Sequence, residues 1–452
     1  MASPMPPDQE RNDIEVGALI DDKPLGGYQY LVLALVGMAI VMDGLDNRLL
    51  PLAIPPLLAE WGVGREAFAL PTSLGLAGMV IGTTLGGMLG DRIGRRATII
   101  GSVLFFGVVT TINAFINDMT SLIAVRFLAG LGLGGLMPSA ASMFAEITPA
   151  RRRTLAVTVG MVCVPIGGVL SGILGALVLP TMGWRALFAI GGVLAVAIAL
   201  ALFATLPESP RFLARSGKGR DQERLRNTLR RMGAEPPPGQ IVDRVEAAAA
   251  ETAAFGNLFG KRFVVDTLGL WGAFFFVLMV LYMESQWMPT ILTDNGYSIE
   301  VASIASSCLA FGGMFASVFG VYALTRLGSR VALIGMAAGA ILLTLGLTQF
   351  PMNPAVSAVP LLILLTFVGF LVGGLQIMIY PVATHVYPTS LRSTGIGWAV
   401  GVGRIGSVIS PFVATAALAA GGYRLFFLAM AIGMGCVLAS LWAIRRHVPK
   451  NG

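Results

Sequence analysis

Charged side chains inside apolar stretches are the residues of this chain best placed to do chemistry. Asp43, Asp46 and Arg48 lie in the first such stretch, Arg126 in the fourth and Arg404 in the eleventh. A charge at membrane depth costs about 2.5–3.5 kcal/mol, so such residues usually pair with one another or line a water-filled cavity. Guanidinium groups bind anions, whereas carboxylates take up and release protons. The pattern predicts a transport site for an anion.

Asp43 and Asp46 are the predicted proton-coupling residues, with Arg126 as their partner. The two aspartates are three residues apart and therefore share one face of a helix. Two carboxylates in a poorly solvated cavity repel each other, which favours a proton on one of them. Arg126 stays protonated, so we expect it to pair with a charged aspartate and to lose that partner on protonation. A permanent brace between Arg126 and Asp46 is the alternative.

Arg404 is the residue predicted to bind a substrate carboxylate. Its planar guanidinium can donate two parallel hydrogen bonds to a carboxylate, and the neighbouring Gly401, Gly403 and Gly406 allow close approach of a ligand or a helix. An interhelical pair with Glu284 is the alternative. The remaining substrate-binding candidates are polar or aromatic residues, for which ordinary packing is the alternative: Arg48, Glu284, Gln286, Gln376, Tyr282, Trp287, Trp398, Phe311 and His385.

The elements that position these residues are predicted to be membrane helices. A chain with 55% apolar and 12% charged residues does not fold as an ordinary water-soluble protein. Each of its apolar stretches is close in length to the roughly 20 residues that a helix needs to cross a bilayer. They predict twelve helices, at residues 28–53, 67–90, 97–117, 122–147, 155–180, 185–206, 263–291, 300–325, 331–350, 358–386, 394–420 and 424–444. Because no nucleophile–base pair or metal-ligand cluster is evident, we expect neither an enzyme nor a cofactor.

Basic residues and an internal repeat predict the topology. Lys and Arg concentrate in both tails and in alternate loops, which places both termini in the cytoplasm and explains the net charge of +7 without a nucleic-acid partner. Gly130, Gly134 and Glu146 recur without a gap as Gly369, Gly373 and His385, and His385 is a candidate proton relay. Such a repeat suggests two pseudo-symmetric six-helix bundles that rock about a central site. The predicted divisions are an N-terminal tail (1–27), a first bundle (28–206), a central cytoplasmic loop (207–262), a second bundle (263–444) and a C-terminal tail (445–452).

Several motifs carry a resemblance to known transporters. The segment GMLGDRIGRR at 87–96 resembles the loop motif between the second and third helices of the major facilitator superfamily. The segment PESPRFL at 207–213 resembles the end of the sixth helix in its sugar and organic-acid branches. Three further segments resemble the aromatic acid:proton symporter family: MDGLD at 42–46, YMESQWMPTIL at 282–292 and YPTSLRSTGIGWAVGVGRIGSVISP at 387–411.

This resemblance covers nearly the whole chain and implies both fold and function. It implies twelve helices in the bacterial inner membrane and proton-coupled import of small aromatic carboxylates, such as hydroxybenzoates or protocatechuate, for catabolism. We expect alternating access by a monomer in the lipid bilayer. The loop motif is expected to act as a gate latch, because its charges can hold helix ends together in the outward-open state. The latch residues are Gly87, Asp91, Arg92, Gly94, Arg95 and Arg96.

Other readings stay open at this point. Glu284 and Gln286 add polarity where the family more often has apolar residues, and Arg48 adds a positive charge just after the DGLD motif. These departures allow muconate, another dicarboxylate or a larger lignin-derived acid as the substrate. A proton antiporter that exports acids or drugs is a further alternative, although GMVCVPIGG at 160–168 matches the exporter motif only in part. A membrane sensor would need a large signalling domain, for which we expect no room in either terminal segment.

Overall fold

The computed structural model describes residues 13–21, 24–216, 219–236, 239–243, 258–260, 263–355 and 358–449. Apart from two short strands, the described elements are helical. The helices are α1 (Val16–Asp21), α2 (Gly27–Asp46), α3 (Leu49–Trp61), a 3₁₀ turn (Arg65–Phe68), α4 (Ala69–Ile93), α5 (Arg95–Asn113), α6 (Met119–Ile147), α7 (Ala150–Thr205), α8 (Pro210–Ser216), α9 (Gly219–Arg231), α10 (Val264–Asp294), α11 (Ile299–Leu327), α12 (Ser329–Gln349), α13 (Ala358–Val386) and α14 (Thr389–Ala443).

Ten helical segments within the described ranges are long and apolar enough to cross a membrane. Two of them, α7 with 56 residues and α14 with 55, are much longer than one crossing requires. A straight helix of that length would measure about 80 Å, against about 30 Å for the hydrocarbon core. Non-helical backbone at Gly183 divides α7, and Gly421 and Gly422 divide α14. Counting each half as a crossing gives the twelve predicted helices.

The first crossing differs from its prediction, because the helix breaks inside the membrane. The predicted helix ran from 28 to 53, whereas α2 ends at Asp46 and α3 continues from Leu49 to Trp61. In a continuous helix the N–H of residue 51 would bond to the carbonyl of Asn47, but Pro51 has no N–H and its ring would crowd that carbonyl. The break therefore follows from Pro51, and it places Arg48 between two helices.

Glycine contacts build the same helix pairs in both halves of the chain. In the first half α4 packs against α6, and a Cβ on Gly82 would overlap the backbone of Leu131. In the second half α11 packs against α13, and a Cβ on Gly369 would overlap the backbone of Leu309. Such contacts hold membrane helices together by close backbone approach. The repeat seen in the sequence is thus a repeat of helix packing.

The two halves meet along α4 with α14, α7 with α11, and α3 with α10. We call the end of the molecule at which α4 meets α5 the tail end, and the end at which α3 leads into α4 the far end. Several polar contacts link the halves at the far end and the centre. Ser73 donates to the carbonyl of Val408 at 2.7 Å, and Ser307 donates to the carbonyl of Val169 at 2.8 Å. Arg65 pairs with Asp294 at 2.8 Å.

A small folded unit at the tail end was not expected from the sequence. Strand β1 (Asp13–Glu15) pairs in parallel with β2 (Gln240–Val242), so the all-helical prediction misses a two-stranded sheet. Val16 and Ile20 of α1 are buried, as are Leu225 of α9 and Ile241 of β2. The regions predicted as a tail and a loop therefore pack on each other where they are described. Pro237, Pro238 and residues 244–257 lie outside the described ranges.

Candidate functional site

The two aspartates of α2 lie side by side in the interior. Asp43 is 4% exposed and Asp46 is 2% exposed. Asp46 accepts a hydrogen bond from the hydroxyl of Thr110 on α5. Oδ1 of Asp43 and Oδ2 of Asp46 have no hydrogen-bond partner within the described part of the chain. A buried oxygen without a hydrogen-bond partner destabilises the protein by about 1–3 kcal/mol. These two oxygens are therefore places where a proton or a ligand group would be stabilised.

Arg126 approaches this pair from α6. Its guanidinium lies 5.2 Å from the centre of the Phe188 ring on α7, and it interacts electrostatically with Asp46. Its Nε and Nη2 atoms find no acceptor among the described residues. The structure therefore brings Arg126 and Asp46 together, as predicted, without a direct ion pair. A permanent brace between them is not formed in this conformation.

Arg404 reaches across the boundary between the halves. Its Nη1 lies 3.3 Å from Sδ of Met79 on α4 and 3.5 Å from Oη of Tyr282 on α10. It also interacts electrostatically with Asp43 and with Tyr380 on α13. The predicted substrate-binding arginine of the second half therefore faces the predicted proton-binding aspartate of the first half.

A second pair of opposite charges crosses the same boundary. Glu284 on α10 is 2% exposed, and its electrostatic partner is Arg48 at the break between α2 and α3. Oε2 of Glu284 and Nη1 of Arg48 both lack a hydrogen-bond partner in the described ranges. Gly168 of α7 leaves room for Arg48, because a Cβ there would lie 3.3 Å from its Nε. The charge partner of Glu284 is thus Arg48, whereas the alternative reading of the sequence paired Glu284 with Arg404.

These six residues form one group, which we call the central cluster: Asp43, Asp46, Arg48, Arg126, Glu284 and Arg404. None of them makes an ion pair within 4.0 Å to another described residue. With every group in its charged form, three carboxylates balance three guanidiniums. The cluster is therefore neutral as a whole, while every member except Arg404 has a buried polar atom without a hydrogen-bond partner in the described ranges.

The space beside the cluster is small in this conformation. A cavity of about 30 Å³ is lined by Arg126, Gln286, Asn47, Thr72 and Met79, among others. That volume suits a water molecule, whereas pockets for small organic ligands span about 300–1,000 Å³. A larger cavity of about 420 Å³ lies at the far end beside Arg65, Asp294 and Tyr423. Chemistry favours the smaller cavity as the site, because it adjoins the cluster, and ligand entry there requires the helices to move apart.

The aromatic candidates are distributed more widely than the sequence suggested. Tyr282 adjoins Arg404, as described above. Trp287 is fully buried on α10. Trp398 stacks on Trp271 with ring centres 6.3 Å apart, and Trp271 lies eleven residues before Tyr282, about 16 Å along the helix. Phe311 is 43% exposed. Its ring contacts Phe315, 4.7 Å away on the same face of α11.

The polar candidates also divide between the cluster and other places. Gln286 lines the small cavity. Gln376 is partly buried on α13, one turn before Tyr380. His385 is exposed at the end of α13, at the tail end of the molecule. The roles of Trp398, Phe311 and His385 in substrate binding stay predictions to which no described contact with the cluster adds support.

Sequence reasoning missed several residues that touch or line the site. Tyr380 approaches Arg404, and its ring packs edge-on against Phe274 at 5.1 Å. Its position four residues after Gln376 on the same helix could have indicated it. Thr110 and Met79 carry no comparable signal, since a threonine or methionine in a membrane helix is ordinary.

The loop motif at the tail end forms a network of ion pairs and hydrogen bonds. Arg95 is buried and pairs with Asp91 at 2.9 Å and with Glu146 of α6 at 3.1 Å. It also donates to the carbonyl of Gly90 at 2.6 Å. Glu146 in turn accepts from the hydroxyl of Ser209. We call Asp91, Arg95, Glu146 and Ser209 the tail-end network. It joins α4, α5 and α6 of the first bundle to Ser209, which follows α7 at the start of the predicted central loop.

The remaining residues of this motif have distinct surroundings. Gly94 has a φ of 101°, which explains why a glycine stands there. Arg96 donates to the carbonyl of Leu206 at 2.6 Å, and its backbone N–H donates to Glu208 at 3.0 Å. Burial raises the pKa of the Glu208 carboxyl above its ordinary value, although this hydrogen bond opposes the shift. Arg92 is exposed and Gly87 is partly buried.

Comparison with known proteins places these features in context. Residues 36–363 match the family model for the Major Facilitator Superfamily. The chain is 32% identical to the 4-hydroxybenzoate transporter of Acinetobacter baylyi, with 89% of this chain and 88% of that protein covered. It is 31% identical to the gallate transporter of Pseudomonas putida, with 92% and 91% covered.

Solved structures give the same fold. The partially occluded inward-open conformation of the xylose transporter XylE from E. coli matches with a TM-score of 0.71, covering 94% of this chain and all of that chain. At 16% sequence identity this likeness concerns the fold alone. It confirms the predicted arrangement of twelve membrane helices in two six-helix bundles.

Proposed function

The chain belongs to the major facilitator superfamily, a family of membrane transporters, and on that premise we propose that it imports aromatic carboxylates together with protons. Two relatives that are about one-third identical over most of their length transport 4-hydroxybenzoate and gallate by name. Both compounds are aromatic rings that bear one carboxylate and at least one hydroxyl. The proposal extends that substrate class to this chain.

The observation that carries the proposal is the charge balance of the central cluster. A monoanion that enters a neutral, poorly solvated cluster adds one uncompensated negative charge, which is expensive in a low-dielectric interior. A proton on one of the three carboxylates restores neutrality. The loaded cluster and the empty cluster are then both neutral, so the protein can change between its two open conformations in either state. Anion binding and proton binding are coupled for this reason.

Asp43 is the proton carrier in this scheme. When Asp43 is charged, it faces Arg404 across the boundary and lowers the free energy of that guanidinium. A proton on Asp43 removes this stabilisation and leaves Arg404 free to bind the substrate carboxylate with two hydrogen bonds. Asp46 has Thr110 and Arg126 beside it instead. Its role is to hold Arg126 near the site and to keep the cluster balanced.

Movement of the two halves is the second part of the proposal. The positive-inside rule assigns the tail end to the cytoplasm of a bacterial inner membrane. The conformation described here would then be closed toward the outside by Arg65–Asp294 and by Ser73 bonded to Val408. Opening toward the outside requires both contacts to break, while the halves rock about the cluster. The tail-end network joins three helices of the first half to the segment after α7, so we propose that it keeps that half rigid during the movement.

Uptake into proteoliposomes tests the proposal. Labelled 4-hydroxybenzoate, protocatechuate, vanillate and muconate are supplied outside vesicles with an inward proton gradient, and the gradient is then collapsed with an uncoupler. Each pH unit contributes about 1.36 kcal/mol to a monoanion carried with one proton. Accumulation that the uncoupler abolishes is the expected result. Gradient-driven loss from preloaded vesicles under the reversed gradient would instead identify an exporter.

A further inference from the structure

Arg48 and Glu284 contribute to the charge balance of the central cluster, but the proposed mechanism gives their unpaired hydrogen-bonding atoms no further role. Glu284 is 2% exposed, and its Oε2 has no donor among the described residues. Nη1 of Arg48 is buried and likewise lacks an acceptor in the described ranges. The two side chains interact electrostatically across the boundary between the halves. A buried acceptor and a buried donor, both without a partner among the described residues, therefore interact electrostatically while lying more than 4.0 Å apart.

This pair lies close to Arg404. Tyr282 connects the two places, because its hydroxyl lies 3.5 Å from Nη1 of Arg404 and also interacts electrostatically with Arg48. Glu284, two residues further along α10, lies on a different face of the helix from Tyr282 and joins this region through its electrostatic partner Arg48. A ligand whose carboxylate is held by Arg404 would therefore extend a second polar group toward Arg48 and Glu284.

We infer that Arg48 and Glu284 bind a ring hydroxyl of the substrate and thereby determine specificity, an inference that rests on the proposed function. A phenolic hydroxyl both donates and accepts hydrogen bonds. It can donate to Oε2 of Glu284 and accept from Nη1 of Arg48, which satisfies both atoms at once. A second carboxylate on the ring only accepts, so it would leave charged Glu284 without a donor. A methoxy group likewise only accepts hydrogen bonds, so it would also leave charged Glu284 without a donor.

The cost of leaving these atoms unpaired sets the expected selectivity. A buried polar group without a partner costs about 1–3 kcal/mol, and sites built around a substrate hydroxyl reject analogues that lack it. We therefore expect the best hydroxybenzoate isomer to have a kcat/KM about 10- to 100-fold above that of benzoate. The same preference is expected over 4-methoxybenzoate and benzene-1,4-dicarboxylate.

The test compares uptake of the three hydroxybenzoate isomers with uptake of benzoate in proteoliposomes. The decisive variant is Arg48→Met with Glu284→Met, which removes both partners and keeps the cluster balanced. The ratio of kcat/KM for the best isomer to that for benzoate should fall to near 1 in this variant. Phe319→Leu, on the exposed face of α11, is the matched control and should keep the wild-type ratio.

Each outcome has a defined meaning. If the wild-type protein accumulates hydroxybenzoates and the double variant keeps their full advantage over benzoate, the inference is overturned while the proposed function stands. A wild-type protein that prefers benzoate or the dicarboxylate overturns it without any variant. If the double variant does not fold, Arg48→Gln with Glu284→Gln provides the test, since it also keeps the cluster balanced and the two amides can hydrogen-bond to each other, which should lower the ratio toward 1. Absence of any aromatic acid uptake by wild type would reject the proposed function itself.

Discussion

The tail-end network and the central cluster use the same side chains in opposite ways. In the tail-end network, Arg95 pairs with two carboxylates at 2.9 and 3.1 Å and also donates to a backbone carbonyl. In the central cluster, Asp43 and Arg126 are just as buried, yet several of their polar atoms have no partner in the described part of the chain. The first arrangement is complete without a ligand and the second is not.

This difference distinguishes buried charges that stabilise the fold from buried charges that take part in transport. A buried ion pair that is fully hydrogen-bonded can be destroyed only at high cost, because removing one partner strands the other. A buried charge without hydrogen-bond partners is already costly, so it persists only where a proton, water or substrate completes it at some stage of the cycle. The comparison therefore predicts loss of stability from changes in the network and loss of transport from changes in the cluster.

The largest effect is expected at Arg95. Replacing it by methionine leaves Glu146 buried with no opposite charge, which should lower the free energy of unfolding by about 3–5 kcal/mol. Thermal unfolding of the purified protein in detergent measures this loss. Arg92→Met is the matched control in the same motif, and because Arg92 is exposed its effect should stay within about 0.5 kcal/mol. Equal destabilisation by the two changes would refute the distinction.

Asp43→Asn should have the largest effect on transport. An asparagine carries no proton, so substrate movement would no longer be linked to the pH gradient. With an inward gradient of about two pH units, wild type should accumulate a monoanion about 100-fold, whereas the variant should only equilibrate it. Asp46→Asn is expected to abolish accumulation as well, because it removes one charge from the balanced cluster.

Two measurements distinguish this prediction from simple misfolding. Exchange of labelled for unlabelled substrate needs no net proton movement, so Asp43→Asn should retain it. The melting temperature should stay near that of wild type, in contrast to Arg95→Met. Wild-type accumulation by Asp43→Asn would remove Asp43 from the coupling scheme.

Arg404→Lys should weaken substrate binding. Lysine keeps the positive charge but cannot make the two parallel hydrogen bonds of a guanidinium. Loss of one charge-assisted hydrogen bond corresponds to about 1.5–3 kcal/mol, so KM should rise by about 10- to 100-fold. Uptake at a range of substrate concentrations gives KM and kcat separately. Arg424→Lys, an exposed position, is the control and should change neither. A lower kcat at unchanged KM would argue against a binding role for Arg404.

The sequence predicted more of the helices than of the site. Residues 358–386 were predicted as a helix and form α13 with the same bounds, because an uninterrupted apolar stretch of that length has few alternatives. The first helix was predicted as continuous from 28 to 53, and the break between Asp46 and Leu49 was missed, since Pro51 acts on a single carbonyl inside a mostly apolar stretch. Hydropathy is averaged over many residues, so it does not reveal a break caused by one proline.

Within the site, charged residues were predictable and aromatic residues were not. Asp43, Arg126 and Arg404 stand out because a charge inside an apolar membrane segment is costly and usually has a partner or a function. Phe311 and Trp398 are ordinary in composition, and their spacing along a helix does not say which face meets the other half. Tyr380 and Met79 became visible only when α13 and α4 were placed beside Arg404.

The smallest effect is expected at the far end, where an ion pair between the halves can be compared with one inside a single half. Arg65–Asp294 joins the halves at 2.8 Å, and Arg185–Glu60 joins α7 to α3 within the first half at the same distance. Both pairs are partly exposed, so each contributes only about 0.2–1 kcal/mol. Only Asp294→Asn, however, should favour opening between the halves.

The measurement is the alkylation rate of a cysteine introduced at Leu418, which lines the cavity beside Arg65 and Asp294. The background protein has Cys163, Cys308 and Cys436 replaced by serine. Asp294→Asn should raise the rate by up to about fivefold, as expected for a shift of 1 kcal/mol or less. Glu60→Gln should leave it unchanged, because its pair does not cross the boundary. Equal acceleration by both variants would mean that general loosening of the far end, and not separation of the halves, controls access to the cavity.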